Sequence, residues 1–203
     1  MRIKIFDDMT ECTETEVQRM LPLVSAQRRE QALRYKHTFG QLCCLKSWLM
    51  LFENVEMSRF RDVEWKYNQH GKPFIEGAPY FSISHCKEGI AVAINDTPIG
   101  IDIEGIRHAD EDLIKRVMNE EEIRLIANSQ ELTANRTFTR LWTRKEAVVK
   151  AQGVGIESFE QLQHILSSSR DLEISTIEKE NYIYSIAYGK LCSFGAEIQT
   201  ANL

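Results

Sequence analysis

The chain has 203 residues, of which 43% are hydrophobic and 27% are charged, and its formal net charge is −5 at pH 7. This length supports one domain with a large core or two small lobes, and the composition excludes disordered and collagen-like proteins. The charge gives no basic surface for nucleic acid. It is also uneven, because residues 1–97 carry 13 basic and 13 acidic side chains and the whole excess of acid falls in residues 98–203.

The apolar runs and the cysteines indicate the cellular setting. No apolar run approaches the roughly 18 residues of a membrane span, and residues 1–8 predict an amphipathic strand instead of a signal peptide. We therefore expect a cytoplasmic protein that does not bind membranes. The five cysteines include one adjacent pair, Cys43 and Cys44, but no Cys-x-x-Cys spacing. They indicate reduced thiols, without a disulfide framework or a zinc site.

The first half of the chain predicts helices followed by a β-hairpin. After the opening strand, the expected elements in chain order are a helix over Thr13–Leu23, a basic segment over Gln27–His37, a buried helix over Gln41–Phe52, and strands over Tyr80–Ser84 and Gly89–Ile94. The residues His85–Glu88 are expected to form the turn between those two strands. Turn residues at Asn95–Pro98 coincide with the change in charge. We therefore predict a boundary there between an N-terminal lobe, residues 1–97, and a C-terminal lobe, residues 98–203.

The second half repeats this mixture of helices and strands. The expected elements are a strand over Ile99–Ile103, a helix over Asp110–Met118, a helix that starts at Glu120, a long helix over Asn135–Ala151, and strands over Tyr182–Tyr188 and Cys192–Ile198. Gly153 suits the C-terminal end of the long helix. We therefore predict a mixed α/β (α+β) fold of two similar lobes, each with helices and a small hairpin-based sheet. A site built from both lobes would lie in the cleft between them.

Two acidic motifs about forty residues apart are the strongest functional signal. Asp102 and Glu104 alternate along an apolar strand, so their carboxylates emerge on one face about 6.6 Å apart. Glu146 and Lys150 are neighbours four residues apart on the predicted long helix. If strand and helix meet, the three carboxylates suit Mg²⁺, which takes a few carboxylates and completes its shell with phosphate oxygens and water.

The same residues have less specific interpretations. An edge strand often points acids at water, and Glu146 with Lys150 is also compatible with a surface ion pair worth a few tenths of a kcal/mol. Lys145 falls in the middle of the apolar stripe of the long helix. An ammonium group there is costly unless it finds a partner or the side chain reaches solvent.

Four further residues occupy positions that suit an anion. Ser84 and His85 stand at the end of a strand, Lys72 lies in a Gly-Lys-Pro turn, and Arg28 belongs to a basic pair near a helix start. Each is equally compatible with a solvated side chain. The chain lacks a Walker-type loop, the dinucleotide-binding glycine motif, His-Glu-x-x-His and Gly-x-Ser-x-Gly, so the common nucleotide and serine hydrolase interpretations lose support.

Taken together and in order, four segments resemble the Sfp-type 4′-phosphopantetheinyl transferases. They are Gly71-Lys72-Pro73, Phe81-Ser82-Ile83-Ser84-His85, Gly100-Ile101-Asp102-Ile103-Glu104 and Trp142-x-x-Lys145-Glu146-Ala147-x-x-Lys150-x-x-Gly153-x-Gly155. The resemblance covers about residues 71–156, with a looser match near Arg28–Tyr35. It implies a pseudo-symmetric two-lobed fold that binds coenzyme A between its lobes. The implied reaction transfers phosphopantetheine to a carrier-protein serine and releases adenosine 3′,5′-bisphosphate.

The resemblance also implies a role for each matching residue. Asp102, Glu104 and Glu146 would hold Mg²⁺, or Mn²⁺, on the pyrophosphate. Lys150 would stabilise charge on the phosphate. Glu146 would take the serine proton, with Glu122 as a second candidate for proton handling.

The nucleotide site implied by the resemblance draws on both halves of the chain. The residues that would contact the nucleotide and its 3′-phosphate are Arg28, Lys72, Ser84 and His85. Trp142 and Lys145 would support the site from the long helix, and a ligand in the cleft would give Lys145 its partner.

This chain departs from the family pattern in two places. Cys43-Cys44 stands where the family usually has an arginine followed by Ser or Thr, and Gln31 stands where a second basic residue is frequent. Both departures put part of the nucleotide site in doubt and could shift it to Arg34 or Lys36.

We therefore expect a monomeric, Mg²⁺-dependent enzyme that activates an acyl or peptidyl carrier protein. Carrier proteins tend to be acidic, so candidates for docking are Arg28, Arg29, Arg116 and Arg124. Two other functions stay open. One is a divalent-metal phosphotransferase or nucleotide pyrophosphohydrolase that uses the same acids, and the other is a module that binds coenzyme A without turnover.

Overall fold

The structure is a computed structural model that describes residues 1–156 and 158–189. The α-helices of this part are α1 (Glu14–Met20), α2 (Ala26–Leu33), α3 (Thr38–Phe52), α4 (Val55–Ser58), α5 (Glu111–Val117), α6 (Glu120–Ala127), α7 (Glu131–Gln152) and α8 (Phe159–Ser168). The strands are β1 (Arg2–Phe6), β2 (Lys66–Tyr67), β3 (Pro73–Phe74), β4 (Tyr80–Cys86), β5 (Gly89–Asn95), β6 (Ile99–Gly105), β7 (Leu172–Glu178) and β8 (Tyr182–Gly189).

Two three-stranded antiparallel sheets have the same connectivity. The strand order is β1-β5-β4 in the first sheet and β6-β8-β7 in the second. The first strand of each sheet along the chain, β1 or β6, forms an edge. The second strand of a later hairpin, β5 or β8, occupies the centre. Between the edge strand and the hairpin the chain forms a long helix, α3 in the first half and α7 in the second, which packs on the sheet. The predicted α+β fold of small antiparallel sheets packed with helices is confirmed.

The two sheets meet where β4 approaches β6. The Ser82 hydroxyl accepts a hydrogen bond from the Ile101 amide at 3.1 Å, and the Ser84 hydroxyl accepts one from the Ile103 amide at 3.4 Å. The sheets are thus joined here through side chains. The chain crosses from one sheet to the other between β5 and β6, and the division into lobes 1–97 and 98–203 stays a prediction.

Apolar side chains form three buried groups, one under each sheet and one between the sheets. The first is built around α3, whose continuous apolarity predicted the burial that the structure gives it. The second is built around α7. The third lies between the sheets and includes Ala91, Ile101 and Ile103. Burial of this kind contributes about 25 cal/mol per Å² of apolar surface and holds β4 and β6 side by side.

The hairpin of the first sheet differs from the sequence prediction. His85 and Cys86 belong to β4, where they pair with Ile90 and Gly89, so the expected four-residue turn is wrong and only Lys87 and Glu88 connect the strands. Gly89 lets the end of β1 lie close to this hairpin, because a Cβ atom there would lie 2.8 Å from the Phe6 carbonyl oxygen.

Other predicted elements are close to the observed ones. Pro22 lies in a short 3-10 helix, Leu21–Leu23, that follows α1 and shortens the predicted first helix. Helix α7 begins four residues earlier than expected, and α8 and β7 were not predicted. The expected strand Cys192–Ile198 lies outside the described residues. Within the described part of the chain, no helix is both long and apolar enough to cross a bilayer.

Candidate functional site

Gly100 allows α7 to lie directly against β6. A Cβ atom at this position would overlap the carbonyl oxygen of Ala147 and the amide nitrogen of Ala151. No side chain larger than hydrogen fits between strand and helix at this point. The close approach places Glu146 of the helix beside Asp102 of the strand, as the predicted meeting of strand and helix required.

The two carboxylate oxygens of Asp102 have different surroundings. Asp102 is only 3% exposed. Its Oδ1 atom accepts hydrogen bonds from Ser84 Oγ at 2.8 Å and from Lys150 Nζ at 2.6 Å. Its Oδ2 atom is buried and has no hydrogen-bond partner among the described residues. A buried carboxylate oxygen without a partner is costly, so an added cation would be stabilised at Oδ2.

Glu104 and Glu146 are coupled electrostatically to Asp102. Burial, followed by the negative charge of Asp102, raises the pKa of both glutamates above the ordinary value. The Lys150 ammonium opposes this shift for both. The negative charge of three carboxylates is thus opposed by one nearby ammonium group. A divalent cation would reduce the remaining repulsion between the carboxylates.

The chemistry of these side chains suits a divalent metal ion. Their donors are hard carboxylate oxygens of the kind that Mg²⁺ prefers, and one of them, Asp102 Oδ2, is unpaired. No group of three His, Cys, Asp or Glu side chains in the described ranges is already gathered closely enough to hold a metal ion. The assignment of Asp102, Glu104 and Glu146 as ligands stays a prediction.

Trp142 supports the site through Glu104. The two side chains share a hydrogen bond, which acts to lower the pKa of Glu104. The indole also stacks on Phe138, with ring centroids 6.3 Å apart and planes 15° apart, and Arg107 lies over it at 5.9 Å. Trp142 therefore favours the charged form of Glu104 from the helix side.

Two adjoining cavities form a cleft that begins at Glu146. The first has a volume of about 350 Å³ and includes Lys72, Glu146, Lys150 and the Gly153–Ile156 segment in its lining. The second has a volume of about 260 Å³ and includes Arg28, Gln31, Cys44 and His85 in its lining. Pro73 and Ile83 line both cavities. The cleft therefore joins β4 of the first sheet to α7, which packs on the second sheet.

Arg28 is a buried cation at the far end of the cleft. It is 7% exposed, its Nε atom has no partner, and no carboxylate of the described residues pairs with its guanidinium. Its Nη1 atom donates to Gln31 Oε1 at 2.8 Å, and the guanidinium stacks over Trp65 at 4.1 Å. Burial lowers the pKa of Arg28, and a hydrogen bond with Cys44 opposes this. An anion would satisfy this group.

Lys72 contacts the end of α7 as well as the cleft. Its ammonium donates hydrogen bonds to the carbonyl oxygens of Ile99, at 3.0 Å, and Lys150. Burial lowers the pKa of Lys72 to about 8. Nearby, Asn68 donates from Nδ2 to the Gly153 carbonyl oxygen at 2.6 Å. These contacts tie the loop before β3 to the C-terminal end of α7, where a cation is favoured by the helix dipole.

Lys145 has a partner inside the protein. Its ammonium lies 2.8 Å from Glu122 Oε2 and donates to the Leu162 carbonyl oxygen at 2.6 Å. The expectation that a ligand in the cleft provides this partner is therefore wrong. The physical reason is that α6 and α8 pack on the side of α7 that carries Lys145. Glu122 is accordingly part of an internal ion pair, and its proposed part in proton handling has no support from its position.

Ser84 and His85 occupy successive positions of β4 and face different surroundings. Ser84 is buried against Asp102, whereas His85 lines the second cavity and packs edge-on against Phe39, with ring centroids 6.0 Å apart. Desolvation and the Lys150 ammonium lower the pKa of His85. The structure thus brings His85 to the same cavity as Arg28.

Cys43 and Cys44 are buried, as the sequence predicted. Burial raises the pKa of Cys43 to about 12 and also raises the pKa of Cys44. Both therefore stay protonated at neutral pH and are unsuited to act as nucleophiles. Sequence reasoning missed Trp65, which lines the cleft, and Asn68, which holds Gly153 of the cleft lining by a hydrogen bond. The turn sequence before Gly71 could have drawn attention to Asn68, but nothing local identifies Trp65 as a partner of Arg28.

Comparisons with known proteins find similarity to one family of enzymes. Residues 98–194 match the family model described as the 4′-phosphopantetheinyl transferase superfamily. The chain is 30% identical to the 4′-phosphopantetheinyl transferase gsp of Aneurinibacillus migulanus, over 60% of this chain and 50% of that protein. It is 26% identical to the 4′-phosphopantetheinyl transferase ffp of Bacillus subtilis, over 71% of this chain and 66% of that protein.

A third relative matches over a shorter part of the chain. The chain is 38% identical to the 4′-phosphopantetheinyl transferase AcpT of Salmonella typhimurium, over 44% of this chain and 50% of that protein. The aligned part thus covers between half and two thirds of the length of each of these curated relatives.

Proposed function

Because residues 98–194 match the model of the 4′-phosphopantetheinyl transferase superfamily, we propose that the chain transfers 4′-phosphopantetheine from coenzyme A to a serine of an acyl or peptidyl carrier protein. The observation that carries this proposal is a cleft lined at one end by Glu146 and Lys150, which interact with Asp102, and at the other by the buried Arg28, which pairs with no carboxylate of the described residues. This charge pattern matches a donor that bears a metal-binding pyrophosphate and a separate phosphate group.

The proposed reaction exchanges one phosphorus–oxygen bond for another. The serine oxygen bonds to the β-phosphorus, the bond to the leaving adenosine 3′,5′-bisphosphate breaks, and the serine proton passes to a base. A divalent ion, Mg²⁺ or Mn²⁺, held by Asp102, Glu104 and Glu146, would neutralise charge on the pyrophosphate. The partner-free Oδ2 atom of Asp102 supports this ligand set.

Glu146 is the candidate base and Lys150 the candidate phosphate contact. The raised pKa of Glu146 brings its basicity closer to neutral pH, which favours proton transfer. Lys150 donates two hydrogen bonds to described residues, Ser84 and Asp102, and an ammonium group has three donors. The third donor of Lys150 is available to a phosphate oxygen in the adjoining cavity.

Arg28 is the candidate contact for the 3′-phosphate, together with His85 of the same cavity. The two departures from the family pattern bear on this contact directly. Gln31 accepts a hydrogen bond from Arg28, and Cys44 forms another with it. We propose that these residues orient the arginine and that the nucleotide site therefore need not shift to Arg34 or Lys36.

The lining of the cleft and the charge of the chain also bear on the oligomeric state and the partners. We propose a cytoplasmic monomer, because residues from both halves of a single chain line the cleft. The acidic overall charge gives no support for nucleic acid as a partner.

A direct test is to incubate the protein with coenzyme A, Mg²⁺ and a panel of apo acyl and peptidyl carrier proteins. Mass spectrometry should detect the added phosphopantetheine on a carrier serine, and no mass gain on any carrier would contradict the proposal. Release of a cleaved nucleotide without a carrier would favour a pyrophosphohydrolase. Tight coenzyme A binding with no transfer would favour a binding module.

A further inference from the structure

The Ser84 hydroxyl has no hydrogen-bonding capacity left for a ligand. It donates its hydrogen to Asp102 Oδ1 at 2.8 Å. Its oxygen accepts from Lys150 Nζ at 2.9 Å and from the Ile103 amide at 3.4 Å. A hydroxyl has one donor and two acceptor sites, so these three contacts use all of them. The residue is also only 7% exposed.

The same contacts determine which oxygen of Asp102 is free. Ser84 and Lys150 both bind Oδ1, and Oδ2 has no partner among the described residues. Turning the carboxylate out of this plane would break both hydrogen bonds, because Ser84 and Lys150 bind the same oxygen. Ser84 therefore holds Asp102 in the one orientation that keeps Oδ2 unpaired.

We infer that Ser84 is a positioning residue for Asp102, and that it presents Oδ2 to a divalent cation instead of contacting the nucleotide. This inference rests on the metal site of the proposed function. It gives Ser84, on the first sheet, control over a metal ligand on the second sheet. Partners of metal ligands typically change metal affinity by about 10- to 100-fold when they are removed.

Ser82 offers a matched control two residues away on β4. It is buried like Ser84, and its hydroxyl accepts a hydrogen bond from a β6 amide, that of Ile101, at 3.1 Å. Unlike Ser84, it makes no hydrogen bond to a carboxylate of the described residues. Replacing either serine with alanine removes its contact with a β6 amide, but only Ser84→Ala also releases Asp102.

The test compares Mn²⁺ affinity with coenzyme A affinity in wild type, Ser84→Ala, Ser84→Thr and Ser82→Ala. Free Mn²⁺ is measured by electron paramagnetic resonance without coenzyme A, and coenzyme A binding is measured by calorimetry with EDTA present. We expect Ser84→Ala to weaken Mn²⁺ binding about 10- to 100-fold while its metal-free coenzyme A affinity stays within about twofold of wild type. Ser82→Ala should keep the wild-type Mn²⁺ affinity, and Ser84→Thr, which keeps the hydroxyl, should restore most of it.

Several outcomes would overturn the inference. These are equal Mn²⁺ affinities of Ser84→Ala and wild type, equal losses in Ser84→Ala and Ser82→Ala, no Mn²⁺ binding by wild type, or weaker metal-free coenzyme A binding by Ser84→Ala. The last result would make Ser84 a nucleotide contact. None of these measurements uses a carrier protein, so a failure of the transfer reaction is detected separately.

Discussion

Lys145 Nζ lies 2.8 Å from Glu122 Oε2, with the lysine side chain fully buried and the glutamate side chain 8% exposed. Lys145 also donates to the Leu162 carbonyl oxygen, and the other side of the pair is anchored because Glu122 Oε2 accepts from the Asn119 amide in a capping box. The pair therefore connects α6, α7 and α8 beneath the surface that carries Glu146.

Breaking this pair should destabilise the fold, whereas replacing both partners should not. Glu122→Gln leaves a buried ammonium without its counter-ion and should lower the free energy of unfolding by about 3–5 kcal/mol. The double variant Glu122→Gln with Lys145→Met removes both charges and should recover much of that loss. Urea denaturation of the two single variants and the double variant measures the coupling. Additive losses would show that the two groups do not interact.

Glu146→Gln should separate activity from stability. We expect transfer to the carrier to be abolished, because the candidate base and metal ligand is lost. The raised pKa of Glu146 means that its charge opposes folding at pH 7, so the variant should also melt at a higher temperature. That gain should disappear as the pH falls below about 4.5, where the glutamate is protonated in both states. The exposed Glu121→Gln is the control and should change neither property, while wild-type rates in Glu146→Gln would remove Glu146 from the mechanism.

Gly100→Ala should strongly destabilise the protein. The added methyl group would meet the backbone of α7, which cannot rotate away as a side chain can. We expect a loss of about 3 kcal/mol or more in the free energy of unfolding, measured by urea denaturation. Gly189→Ala, also on a strand, is the control, because its Cβ atom would make ordinary contacts of 3.6 Å or more. Similar losses in both variants would show that the approach of α7 to β6 is not the cause.

Lys72 should make stability increase with pH. Its pKa is about 8 in the folded protein and 10.5 ordinarily, so between these values the unfolded chain binds more protons than the folded one. Stability then rises with pH across this window, and the cost of the charged lysine is complete below pH 8. The unfolding free energy of wild type minus that of Lys72→Met should therefore be larger at pH 10 than at pH 7. A difference that is constant with pH would contradict the lowered pKa.

Arg28→Met should weaken coenzyme A binding through the 3′-phosphate. A charge-assisted hydrogen bond contributes about 1.5–3 kcal/mol, so we expect a loss of about 10- to 100-fold in affinity. Dephospho-coenzyme A, which lacks that phosphate, should bind the variant and the wild type alike. Calorimetry with both ligands tests this, and the neighbouring Arg29→Met, at an exposed position, is the control. Equal losses for the two ligands would place Arg28 elsewhere along the nucleotide.

Local sequence patterns predicted the parts of the fold that depend on neighbours in the chain. The alternation around Asp102 and Glu104 predicted a strand, and glycine at 153 predicted the end of the long helix, where its φ is 71°. The approach of that strand to the helix could be expected from the chemistry of the acids. Gly100 makes this approach possible, because a side chain there would overlap the backbone of α7. The sequence alone does not show that α7 lies against this glycine.

The remaining contacts join residues that are far apart in the chain. Lys145 in an apolar stripe correctly indicated that the ammonium needs a partner, but the choice between Glu122 and a ligand depends on how α6 packs. The role of Lys72 at the end of α7 likewise depends on a contact across 78 residues. By contrast, the alternation of apolar and polar residues over Leu172–Glu178 is typical of a strand, and β7 forms there.

The serine contacts between β4 and β6 also make two backbone amides into reporters of motion. The amide hydrogens of Ile101 and Ile103 are covered by hydroxyl groups of the opposite sheet. Deuterium can replace these hydrogens once β6 separates from the serines of β4, because that separation breaks both hydrogen bonds. Their exchange rates would therefore measure how often the cleft opens, and a donor bound across both sheets should slow them together.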